Sequence, residues 1–190
     1  TGNATDFGNL TVGRGEGGSC SNGSRALWGG GGGDSTGKDE IDYVTIATTG
    51  DATDFGNLSS VRNGVTACSD GTKGLFWLGG QHPTYVQTIE HVNITSTGNV
   101  TDFGDMLETP QKLGAAVCDG SRAVHAGGRK DDSGSTSGSS TIEYNTIAST
   151  GNATDFGELN EARAALAGVT DNTKGVFGGG YLDSSYTNTL

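Results

Sequence analysis

Few side chains here have a type and spacing suited to chemistry, and the repeated aspartates come first. Asp6, Asp54, Asp102 and Asp155 recur in one local context, and clustered carboxylates suit a hard cation such as calcium. Each aspartate nevertheless lies a full repeat from the next, with no D-x-D-x-D loop around it. Capping of a turn through nearby backbone N–H groups is the preferred reading. Cys20, Cys68 and Cys118 occupy equivalent places in three repeats, and Val169 occupies the fourth. Zinc requires closely spaced or paired cysteines, whereas a position that also accepts valine reads as a buried, reduced thiol. His82, His91 and His125 fall at unrelated repeat positions and join no Ser/His/Asp or Cys/His arrangement. The glycine run at 29–33 precedes neither Lys-Ser/Thr nor a helical pattern, unlike a phosphate loop. No catalytic residue, metal ligand or cofactor is assigned.

Contact chemistry is carried by aromatic residues instead. Tyr85, Tyr181 and Tyr186, with Trp28 and Trp77 near paired glycines, are the ligand-contact candidates, because such rings stack on sugar faces while offering a polar edge. For the two tryptophans packing between repeats is the preferred alternative, and for the tyrosines the two readings stand level. Sequons begin at Asn3, Asn9, Asn22, Asn57, Asn93, Asn99 and Asn152. A Thr/Ser/Asn-rich repeat generates such triplets anyway, so they decide nothing.

The elements that must position these residues follow from repetition. Thr-Gly-Asn-Ala-Thr-Asp-Phe-Gly opens the chain at 1–8 and returns at 49–56, 97–104 and 150–157, with Asp51 and Val100 as the only changes. Phe7, Phe55, Phe103 and Phe156 mark steps of 48, 48 and 53 residues. Such periods mean an array of supersecondary units, none able to bury its apolar face alone. After each octapeptide comes a basic residue (Arg14, Arg62, Lys112, Arg163) and a run of small side chains, which other backbones can approach closely. An Asn-Gly, Asp-Gly or Asp-Asn turn follows, signalling a hairpin, then a short apolar strand ending on paired glycines. The variable loop after them is longest at 129–140, and the β-branched runs at 40–46, 88–94 and 141–147 predict a third strand. The octapeptide then supplies a turn and a fourth, outer strand.

Composition bounds the partners. Net charge is −11, spread over all repeats, which disfavours nucleic acid and anionic membranes. No apolar run approaches the roughly 20 residues of a membrane helix. The chain lacks an initiator Met and a basic-then-apolar leader, and it begins on the first residue of a repeat. The expectation is a processed product or a piece of something longer.

The order of basic residue, small-residue strand, hairpin, apolar strand with Gly-Gly, and acidic-Tyr pair (Asp42-Tyr43, Glu143-Tyr144) resembles the kelch repeat, with Glu90-His91 departing from it. Kelch repeats carry a tryptophan one short turn later. Here the aromatic is Phe55, Phe103 or Phe156, twelve residues beyond Tyr43, His91 and Tyr144. The run through Ile41 and Phe55 also resembles repeats in virion structural proteins of marine bacteriophages, found in tails or tail fibres. These resemblances imply an all-β, kelch-like β-propeller of about four blades of four antiparallel strands, or a segment of a larger propeller or array. One domain spans 1–190, with units near 1–48, 49–96, 97–149 and an incomplete 150–190. The expected function is a non-enzymatic structural or host-adhesion module, extracellular or on a virion. Its partners would be other chains of the same assembly or the rest of a longer polypeptide, with cell-surface glycans as a further ligand class. No nucleic acid or membrane insertion is expected. The alternative is a lectin-like propeller. An oxidase of the copper-radical type ranks third, since its Tyr/His/Cys ligand set cannot be assembled here. On topology, residues 1–10 are expected to form a fourth strand, and an isolated four-blade ring would lack one third strand.

Overall fold

The computed structural model describes residues 2–32, 36–81, 84–108, 112–130, 138–182 and 185–190. Thr1, His82 and the 131–137 portion of the variable loop lie outside them. The fold is all-β: among the described residues there are three antiparallel four-stranded sheets, three two-stranded pairs and no helix.

The first sheet runs in chain order through β1 (Gly18–Ser21), β2 (Arg25–Gly29), β3 (Lys38–Thr45) and β4 (Thr53–Arg62). The second uses β5 (Thr66–Ser69), β6 (Lys73–Trp77), β9 (Thr88–Asn93) and β10 (Thr101–Asp105). A small hairpin, β7 (Gly80–Gln81) with β8 (Thr84–Tyr85), interrupts it. The third contains β11 (Ala115–Cys118), β12 (Arg122–Ala126), β13 (Ser139–Thr146) and β14 (Thr154–Arg163). A fourth unit holds the pair β15 (Ala167–Thr170) and β16 (Gly175–Gly178), then the hairpin β17 (Tyr181–Leu182) with β18 (Ser185–Tyr186). Each full sheet therefore draws its outer strand from the start of the next sequence repeat.

The first hairpin of every unit closes in one way. The Asn22 side-chain oxygen accepts from the N–H groups of Ser24 and Arg25 at 3.0 and 2.8 Å. Asp70 accepts from Thr72 and Lys73, Asp119 from Ser121 and Arg122, and Asp171 from Thr173 and Lys174. The next residue, Gly23, Gly71, Gly120 or Asn172, sits between φ +69° and +88°, a region that glycine and asparagine tolerate best.

The outer strand has a bulge at its phenylalanine. In β4, Asp54 faces Asp42 and Gly56 faces Ile41, so Phe55 is the extra residue; Phe103 and Phe156 repeat this. A bulge turns its side chain out of the alternation. Phe55 and Phe103 enter the cores between units at 2% and 1% exposure, each edge-on to the aromatic twelve residues earlier. Tyr43–Phe55 centroids lie 5.9 Å apart, and His91–Phe103 centroids 5.3 Å.

The octapeptide also ties neighbouring units together. The carbonyls of Phe7, Phe55 and Phe103 accept from the N–H groups of Gly50, Gly98 and Gly151 at 2.8, 2.7 and 2.7 Å. Two residues on, Asn9, Asn57 and Asp105 carbonyls accept from Ala52, Val100 and Ala153. The side chains of Asp51, Asn99 and Asn152 complete the clasp by accepting the N–H of residues 9, 57 and 105 at 2.9, 3.0 and 3.0 Å. Gly8, Gly56 and Gly104 must lack a side chain because a Cβ would collide with the carbonyl of Gly50, Gly98 or Gly151.

Inner strands β1, β5, β11 and β15 stand side by side in sequence order. Cys20, Leu27 and Ile41 of the first sheet pack with Phe55, Leu58, Phe76, Val92 and Ile94. Cys68, Leu75 and Ile89 pack likewise with Phe103, Met106, Cys118 and Ile147. The sheets do not close on one another. The fourth strand expected at 1–10 is not formed: residues 2–10 lie along residues 50–52 through the Phe7 and Asn9 carbonyls, and among the described residues no other strand pairs with them.

Candidate functional site

Three sets of side chains carry the polar and aromatic chemistry. The first is a buried ladder of ions. Arg14 leads into β1, and its Nη2 lies 2.8 Å from Asp42 Oδ2 on β3, both side chains buried. Its guanidinium also donates to the carbonyls of Glu40 and Trp28 at 3.1 Å, while Thr11 donates its N–H and hydroxyl to the Asp42 carboxylate. In the next unit Arg62 Nη2 stands 2.9 Å from Glu90 Oε2 and Nη1 donates to the Thr88 carbonyl. Burial lowers the Arg62 pKa, and the Glu90 charge opposes that shift. In the third unit Lys112 is buried at the basic position. Glu143 accepts the N–H of Leu107 at 2.8 Å and lies 3.6 Å from His125 Nδ1. In the fourth, buried Arg163 meets the carbonyls of Gly179 and Thr189 at 3.4 and 3.1 Å and the exposed Glu161 at 3.8 Å. Removing one partner of such a desolvated pair strands a charge in the core; Arg14 Nε, also buried, has no hydrogen-bond partner among the described residues. The sequence reading found both members of these pairs but not the pairing. The constant 28-residue interval from Arg14 to Asp42 and from Arg62 to Glu90 was its available signal.

The second set is the thiols. Cys20, Cys68 and Cys118 are free and buried on neighbouring inner strands. Burial pushes the Cys20 pKa up to about 12. A hydrogen bond with Cys118, reinforced by burial, pushes the Cys68 thiol up as well, and Cys68 also donates to the Val117 carbonyl at 3.5 Å. The hydrogen bond from Cys68 lowers the Cys118 pKa, so it is Cys20 and Cys68 that stay protonated and are poor nucleophiles. Among the described residues no group of three or more His, Cys, Asp or Glu side chains is placed to hold a metal. The repeated aspartates act locally where a bond is seen: Asp6 and Asp155 accept the N–H groups of Gly8 and Gly157 at 3.2 Å.

The third set is aromatic. Paired glycines lead into two hairpins that the sequence reading treated as plain loops. Tyr85 lies on β8, half-buried, opposite Gly80. Tyr181 and Tyr186 face each other across β17 and β18, their rings edge to face at 6.5 Å, with Tyr186 90% exposed. Trp77 is buried in the core between the second and third sheets. Trp28, half-buried, lines a groove of about 560 Å³ with Phe7, Leu10, Val44, Ile46 and Ala52. The five aromatic candidates thus form no single site: two tyrosines share one hairpin, a third lies on another, one tryptophan is core and one borders a groove.

Set beside known proteins, the chain matches no protein-family model, and no curated protein matches it either.

Proposed function

We propose that this chain is a kelch-like propeller segment acting as a non-enzymatic structural or host-adhesion module of an extracellular assembly. A phage tail or tail fibre is the setting that its repeat resembles. The observation that carries the reading is the clasp between octapeptides, made three times with the same atoms. It is a device for holding units in a row. The buried ionisable groups support the same reading, since Arg14, Asp42, Arg62 and Glu90 bind one another.

A lectin-like role is the second reading, favoured by the exposed Tyr186 ring beside Tyr181. Tyr186 is open to solvent and Tyr181 half-buried beside it, and an exposed ring with a hydroxyl suits a sugar. A glycan array run on the full chain and on a Tyr181→Ala/Tyr186→Ala variant tests the two. The structural reading expects no glycan signal that depends on these tyrosines. A signal lost in the variant replaces it with the lectin reading, and stoichiometric copper with oxidase turnover overturns both.

A further inference from the structure

Counting from the basic residue of each repeat sets Cys20, Cys68 and Cys118 in one place, and the hairpins correct that count. Asn22, Asp70 and Asp171 follow their basic residues by eight positions, whereas Asp119 follows Lys112 by seven. The strands keep register with the turn. Cys20 faces Leu27, Cys68 faces Leu75 and Val169 faces Val176, and in the third unit it is Val117 that faces Val124. Cys118 therefore stands one place later, directly before the turn, where the other units carry the hydroxyl residues Ser21, Ser69 and Thr170. Of the four units only the third has a thiol there.

That shift brings two sulfurs together across the interface between the second and third units. Strands β5 and β11 run side by side, and Cys68 and Cys118 share one core cluster. Cys68 Sγ reaches the Val117 carbonyl at 3.5 Å and hydrogen-bonds the Cys118 thiol. One interface earlier the same place holds Ser69, whose hydroxyl donates to the Ser21 carbonyl, and Cys20 Sγ lies over Gly74, where a Cβ would meet it at 2.7 Å. The paired thiols are unequal. The bond from Cys68, helped by the Gly120 N–H at 3.2 Å, favours the Cys118 thiolate, while Cys68 is held protonated. A thiolate-prone sulfur against a protonated one is the arrangement of an attacking and a resolving cysteine. Cys118 keeps 7% of its surface exposed, and the exposed Gly120 beside it has open space around it, which suits an oxidant of about the size of water.

We infer that Cys118 and Cys68 are a modification site for peroxides, Cys118 attacking and Cys68 resolving, and that the product is a disulfide between β5 and β11. In the first step the Cys118 sulfur bonds one peroxide oxygen as the O–O bond breaks, and the other oxygen leaves as water with the thiol proton. In the second, Cys68 attacks the Cys118 sulfur, the S–O bond breaks, and the hydroxyl leaves as a second water with the Cys68 proton. One peroxide is reduced and two thiols are oxidised. The second and third units, already clasped through the Phe103 carbonyl and Gly151 N–H, gain a covalent tie. This chemistry goes beyond the functional reading and stands whatever the module binds.

The test is peptide mapping of the full chain after treatment with hydrogen peroxide at neutral pH. Remaining thiols are alkylated in denaturant, and trypsin separates the three cysteines into peptides 15–25, 63–73 and 113–122. The expected product is 63–73 joined to 113–122, with 15–25 alkylated, and reductant restores all three thiols. Cys68→Ser keeps a donor beside Cys118 and removes the resolving sulfur, so dimedone is expected to trap a sulfenic acid on Cys118 and to leave Cys20 unlabelled. Cys118→Ser, which copies Ser69, is expected to give neither product and to leave Cys68 fully alkylated. Both variants are checked to melt as the reduced wild type does. A wild type that keeps three free thiols under an exposure that oxidises free cysteine in the same buffer overturns the proposal without recourse to any variant. A disulfide that involves Cys20, or one formed only between chains, overturns it as well.

Discussion

At the scale of single residues, the buried charges make the sharpest demands. Arg62 is fully buried against Glu90 at 2.9 Å, so Glu90→Ala strands a guanidinium in the core and is expected to cost about 3–5 kcal/mol. Glu161→Ala, at an exposed side chain 3.8 Å from Arg163, is expected to stay within about 0.5 kcal/mol. Equal shifts in urea denaturation midpoints would remove the distinction. The turn aspartates set a pH dependence. Hydrogen bonds from the N–H groups of Arg122 and Ser121 hold the Asp119 carboxyl below the usual carboxylate range, and bonds from Lys174 and Thr173 do so for Asp171. Their folded-state pKa values are depressed, so their stabilisation is present above about pH 4 and is lost as pH falls through the lower folded values. Asn22 makes the same turn without titrating. Asp119→Asn/Asp171→Asn is therefore expected to fold normally at pH 7 and to show a shallower acid loss of melting temperature. Cys20 should be inert: with its pKa pushed up to about 12 by burial, it is expected to resist alkylation at pH 8 until the chain is unfolded. Cys68→Val is expected to cost less than about 1.5 kcal/mol in the same denaturation assay, a change of similar volume in a buried site.

At the scale of elements, much was legible. The hairpin turns could be read because Asn-Gly and Asp-Gly are local chemistry, and Asn22, Asp70, Asp119 and Asp171 all fulfil it. The third strands could be read from β-branched alternation. The bulge could not, because it depends on a register between Asp42 and Asp54 that no local pattern encodes. For the same reason the twelve-residue offset from Tyr43 to Phe55 looked like a departure from a familiar repeat, although it sets one ring on the other. The short hairpins bearing Tyr85 and Tyr186 escaped notice because two-residue strands have no periodicity. The bulge yields its own prediction. Phe103→Ala empties a core position and is expected to cost about 3–5 kcal/mol. Phe156→Ala, the same residue of the repeat but 54% exposed, should change denaturation by under about 1 kcal/mol. Matching losses would mean that the two phenylalanines have the same surroundings.

At the scale of the whole molecule, the period and the all-β character follow from the sequence, while the open arrangement of the sheets depends on geometry between units. The ladder of Arg and acid was hidden for a related reason. Its partners lie 28 residues apart, and only the folded sheet brings Asp42 of β3 against Arg14, in the segment ahead of β1. The principal contacts between units join neighbours alone: β1 with β5, β5 with β11, β11 with β15. In a system coupled only to its neighbours, stability is a sum of local terms and need not be uniform. The β15–β16 pair has one covered side and two hydrogen-bonded strands, against four in the central sheets. Opening should thus begin there and travel inward one interface at a time. Amide exchange of the dilute chain is expected to be fastest at 167–178, slowest at 73–77, and graded between them. Uniform protection would mean that the repeats open as one cooperative body, erasing the direction that a row of clasps otherwise gives to unfolding.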